Sequence, residues 1–144
     1  MKSTELMIGD LVYNTHNRQP EQVCEIRERM VMLAYNDLYD YDEIEPIPLT
    51  PEILEKNGFY FGYTANEEEL ASNTIATLSK EDKGWVWDEG GGSVKVIFPN
   101  DGDDGLISIY GHDMDIEFGF IGQISIHELQ HELRLCRISK EIVL

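Results

Sequence analysis

Two cysteines in 144 residues, 11 Lys and Arg against 28 Asp and Glu, and no long apolar run mark this sequence first by its shortages. Cys24 and Cys136 stand far apart, without the spacing of a metal or redox site, so they are expected to be buried thiols of a reduced cytoplasm. The shortage of bases excludes phosphate-tracking surfaces, which need clustered Lys and Arg, and with them nucleic-acid binding and anionic membranes. A membrane-spanning helix needs roughly 20 apolar residues in a row, and none are present. The opening MKSTELMIGDLVYN has no apolar core and no small-residue cleavage site, so no secretory signal is expected there. Despite a formal charge of −17, 42% of the residues are hydrophobic, which is too many for an acidic disordered chain. The length suits one domain or two small lobes, and the expected location is cytoplasmic.

What is present reads as α+β. Residues 1–50 carry short β-rich runs at Leu6–Tyr13, Gln22–Arg27 and Met30–Tyr35, separated by polar turns, and suggest an SH3-like β unit. Asp37–Glu45 is acidic and leads into an extended Pro-flanked stretch to Leu49. Thr50, Pro51 and Glu52, followed by Asn57-Gly58, carry the start and stop signals of a short helix. An aromatic strand follows at Phe59–Tyr63, and its large side chains, like Trp85 and Trp87, are expected to fill a core. Asn66–Glu69 spells a capping box, Ile75–Leu78 a short strand. Gly90–Gly92 turns a hairpin, and an antiparallel meander runs on to Phe118. Ser125 and Glu128 form a second capping box, with Ile126, Leu129, Leu133 and Cys136 at helical spacing behind it. Residues 51–144 are therefore expected to form a helix, a meander and a closing C-terminal helix.

Three motifs could carry chemistry. His127-Glu128-Leu129-Gln130-His131 matches H-E-x-x-H, whose imidazoles can share a zinc ion while the Glu polarises a water. No third ligand follows, since Arg137 stands ten residues after His127, and at 100° per residue the His pair falls opposite the apolar stripe, facing water. A zinc hydrolase through His127, Glu128 and His131 is the weaker alternative, and no metal or cofactor is expected. Glu128→Gln would abolish such a hydrolase, whereas His131→Asn should be harmless in a non-enzymatic protein. The acidic loop Asn100–Gly105 lacks the Gly and Glu positions of a calcium loop and reads as a turn. Gly90–Gly92 lacks the phosphate-loop spacing, and His16 and His112 stand alone in loops.

Charge is the more informative signal. Met30–Ser79 holds ten acidic residues and one base, Lys56. An acidic face with aromatic side chains, made of Tyr39, Asp40, Tyr41, Asp42 and Glu43, is the candidate binding surface for a basic protein partner. The same field could imitate DNA phosphates and occupy the basic cleft of a nucleic-acid enzyme.

The segments TELMIGDLVYN, YDEIEPIPLTPEILEKNGF and ISIHELQHELRLCRISKEIVL, in that order, resemble an uncharacterised family of short proteins from gut Bacteroidales genomes, mobile elements and phages. Its members open on an ELRIGNLV-like stretch, pass through an EPIPLT-helix-GF segment and end near a VHxLQNLYFALTGEEL-like helix. His131 stands where that pattern carries Asn, and Leu133-Arg134-Leu135 replaces an aromatic-bearing stretch. The resemblance implies a bacterial or phage cytoplasmic protein with an α+β fold and assigns no catalytic residue. The expected function is that of a non-enzymatic accessory or interaction protein.

Overall fold

The structure is a computed structural model and describes residues 1–34, 36–64, 83–89, 92–98, 105–111 and 114–144. The fold is α+β, and the chain divides into two compact units, Met1–Pro48 with Ser125–Lys140 and Leu49–Ile124 with Glu141–Leu144. Expectations at 66–71, at 75–78, at 100–104 and at His112 lie outside the described residues.

The first unit is built on five strands: β1 (Leu11–Asn14), β2 (Gln19–Ile26), β3 (Met30–Leu33), β4 (Leu38–Asp40) and β5 (Ile44–Pro46). They pair antiparallel in the order β4-β3-β2-β1-β5. Alternation along β1 and β3 turns Val12, Val31 and Leu33 inward, where they join Leu6, Val23, Tyr39 and Ile44 in one core. Leu6–Tyr13 is not one strand. Gly9 adopts φ +92°, a left-handed turn that glycine tolerates, and β1 begins two residues later. Cys24 is exposed rather than buried, because Val23 points inward and the next side chain must point out, at a bulge in the β2–β3 pairing. Cys136 is buried.

The C-terminal helix α2 (Ile126–Leu135) packs on β1 and is part of this first unit. A bridge between Pro48 and Ser125, with the Ile126 amide donating to the Ile47 carbonyl, fixes where it starts. Arg137, at φ 57°, ends it, and the Ile138 amide reaches back to the Leu133 carbonyl.

The second unit holds α1 (Pro51–Lys56) and the strands β6 (Tyr60–Thr64), β7 (Lys83–Glu89), β8 (Gly92–Phe98), β9 (Leu106–Gly111) and β10 (Met114–Gly119). These form a sequential antiparallel meander in the order β10-β9-β8-β7-β6. The start and stop signals of α1 are all used: Thr50 accepts from the Ile53 amide, Pro51 opens the helix, and Gly58 leaves it at φ +84°. Trp85, Val94, Val96, Ile107 and Ile109 are buried, as is Phe59, but Tyr60 and Phe61 are about half exposed, 51% and 53%, on the edge strand. The Asn57 side chain, itself buried, exchanges hydrogen bonds with both backbone groups of Val143 and so holds the chain's last residues to the end of α1.

Candidate functional site

The H-E-x-x-H helix carries a buried polar cluster, and its geometry departs from the expectation that both rings face water. The helix buries a second side besides its apolar stripe. His127 and Gln130 are each 6% exposed, as buried as the stripe itself. Asp10, just before β1, bonds to His131 and Arg134 on that side, and the Gln130 amide donates to the Lys140 carbonyl.

Asp10 is the centre of this arrangement. Its side chain is fully buried, and a buried carboxylate must be paired. Oδ2 accepts from the Met7 amide at 2.6 Å and faces His131 Nε2 at 2.7 Å, while Oδ1 accepts from Arg134 Nη1 at 3.0 Å. A carboxylate can only accept, so His131 carries a proton on Nε2. Gly9 makes room for the guanidinium: a Cβ there would lie 3.0 Å from Arg134 Nη2. His131 and Arg134 lie three residues apart on one helix face, which is what lets a single carboxylate take both.

The other half of the cluster is the helix cap. Ser125 Oγ accepts from the Glu128 amide, and Glu128 Oε2 receives the Ser125 amide at 2.7 Å and the Ser125 hydroxyl at 2.9 Å. His127 Nδ1 lies 2.8 Å from the same Oγ. The hydroxyl's one proton goes to Glu128, so His127 donates from Nδ1. Burial lowers its pKa from the ordinary imidazole value, against the opposing pull of Glu128 and Asp10. Further along the helix, Glu132 has a buried, unpartnered Oε2, and desolvation raises its carboxyl pKa.

These bonds decide what the motif can do. The two rings stand 5.6 Å apart, tilted by 76°, each with one nitrogen spent on a protein partner. Glu128, the residue a zinc hydrolase would use on water, spends one carboxylate oxygen, Oε2, on the cap. Among the described residues, no three His, Cys, Asp or Glu side chains gather around a common point for a metal ion. The cluster is a buried polar staple between α2 and the turn before β1. His131 therefore has a structural task, and His131→Asn is not the neutral change expected from the sequence.

The acidic segment is split by the fold. Tyr39 is buried in the first unit's core, its hydroxyl accepting from Asn17 Nδ2. Tyr41 packs on that core and donates to the Arg27 carbonyl. Asp40 and Glu43 cap the 3₁₀ turn Tyr41–Glu43. Asp42 is exposed, as are Asp37 and Glu45 at either side, which the sequence reading did not single out. Alternation could have found Glu45, which follows the buried Ile44 in β5, but not Asp37 or Asp42, which lie outside the strands. Comparisons with protein-family models, curated proteins and solved structures find nothing that matches this chain.

Proposed function

We propose that this chain is a non-enzymatic, cytoplasmic accessory protein of bacterial or phage origin that binds a basic protein partner. The observation that carries this reading is the orientation of the 37–45 segment. Its tyrosines are used inside, while Asp37, Asp42 and Glu45 are exposed with no base among those nine residues. Like charges gathered on an exposed edge raise the local potential and speed association with a basic patch. The H-E-x-x-H cluster supports the non-enzymatic part, because its Glu and one nitrogen of each His already serve the fold.

The test is affinity capture at low and high salt with the wild type and with Asp37→Lys/Asp42→Lys/Glu45→Lys. These positions avoid Asp40 and Glu43, whose reversal would undo the 3₁₀ cap. One dominant partner is expected, lost at about 1 M salt, where the Debye length is roughly 3 Å, and lost with the triple variant. Capture unaffected by both would overturn the reading. Capture of a nucleic-acid enzyme, competed by DNA, would replace it with DNA mimicry.

A further inference from the structure

The second unit's sheet has a face that the acidic-edge reading does not use. Cross-strand pairs in an antiparallel sheet share a face. The register therefore sets Asp88, Ser93, Tyr110 and Asp115 in one row across β7 to β10, and Tyr60, Val86, Lys95, Ser108 and Glu117 in the next row, across β6 to β10. Trp85, Val94, Val96, Ile107 and Ile109 occupy the opposite face, while Ile97 and Leu106 continue this one past Lys95 and Ser108 and are buried, so its open part is the end bearing Asp88, Tyr110 and Asp115.

Five features of the polar face converge. Tyr60 and Tyr110 are exposed at 51% and 41%, one on the edge strand and one on β9. Three carboxylates, Asp88, Asp115 and Glu117, are exposed beside one ammonium, Lys95. Lys95 Nζ sits over the Tyr110 ring, 5.6 Å from its centre, so that ring already holds a cation. Between Asp88 and Tyr110 stands Ser93, 6% exposed, whose Oγ has no hydrogen-bond partner. A hydroxyl left unpaired in that position lacks a donor or acceptor that a ligand could supply. Tyr60 donates to Asp88, and that bond, with the carboxylate's charge, raises the phenol's pKa and keeps it a donor.

We propose that this face binds the guanidinium group of an arginine side chain presented by a partner polypeptide. A planar cation stacks on a tyrosine ring, donates to carboxylates in its own plane and is less strongly hydrated than an ammonium. Tyr110 supplies the ring, Asp88 and Asp115 in its row supply the acceptors, and Ser93 Oγ lies under the same row. Lys95 is the internal competitor: the ammonium over Tyr110 must move aside for the ligand. The proposal shares a basic partner with the reading above but does not require the 37–45 segment.

The experiment is a titration of the full chain with a blocked tri-arginine peptide, followed by amide chemical shifts. Shifts are expected at Ser93, Lys95 and Tyr110. Tyr110→Leu should weaken binding about fivefold, as loss of an exposed cation–π contact would, and Tyr110→Phe should keep affinity within about twofold. Lys95→Met should tighten binding about two- to fivefold by removing the competing cation. Weaker binding in Lys95→Met would overturn the proposal, and so would the absence of shifts at millimolar peptide. Shifts confined to 37–45 would overturn it while leaving the acidic edge standing. Shifts on the sheet with partner capture indifferent to the 37–45 reversal would do the opposite. Equal shifts with a neutral oligosaccharide would also overturn it.

Discussion

Asp10→Ala is the sharpest perturbation of the first unit. The substitution removes a fully buried carboxylate that pairs with His131 and Arg134 and accepts from the Met7 amide. Hydrogen bonds to charged groups contribute about 1.5–3 kcal/mol each, and removing one member of a buried pair costs more than the pair's net value, since the remaining charge is stranded. Arg134 is 33% exposed and can turn to water, which discounts its share; His131, at 16%, has less freedom. The expected loss is about 3 kcal/mol, or roughly a hundredfold rise in the opening equilibrium of α2 against β1. Native-state hydrogen exchange at the Val12, Leu129 and Leu133 amides reads that opening directly. Asp10→Asn should fall between, near 2 kcal/mol, because its amide can still accept from Arg134 but presents donors to His131 and the Met7 amide. In the Asp10→Ala background, His131→Asn should add little, as residues of one network are not additive. Acceleration of less than about threefold in Asp10→Ala would refute the view of Asp10 as the staple's centre.

Two further outcomes follow from the same physics. His127 is neutral and buried, with a folded pKa below its unfolded value near 6.5, so the folded state binds fewer protons. The stability it contributes is complete above pH 6.5 and is lost as pH falls through that value toward the folded pKa. Glu132, whose folded pKa is raised, acts in the opposite sense, its contribution present at low pH and lost as pH rises above about 4.5. Exchange of the α2 amides between pH 7.5 and 5 should show the His127 loss, and His127→Asn, whose amide can still donate to Ser125, should flatten it; an unchanged slope would count against the buried neutral ring. In the second unit, Asn57→Ala removes bonds to the Ile53 carbonyl and to both backbone groups of Val143. It should cost about 2 kcal/mol and raise exchange at the Val143 amide about thirtyfold, and full protection there would show that the tail is held by other contacts.

Local chemistry was legible in the sequence wherever it is self-contained. Thr50-Pro51 and Asn57-Gly58 bound α1, and Ser125 with Glu128 caps α2, because each signal acts within four residues of its own backbone. The α+β character and the meander were legible from strand-length apolar runs and their turns. Tertiary structure decided what lies far apart in the chain. Nothing near residue 131 announces that Asp10, 121 residues away, meets His131, or that the helix packs on β1. Helical periodicity placed the His pair opposite the apolar stripe, but a helix covered on a second side buries polar residues too, provided each finds a partner. Composition likewise showed an acidic, tyrosine-bearing segment without showing which side chains face out. The fold buried Tyr39 in its core, packed Tyr41 against it and left Asp37, Asp40, Asp42 and Glu45 in water, because burying an aromatic ring is favourable and burying an unpaired carboxylate is not.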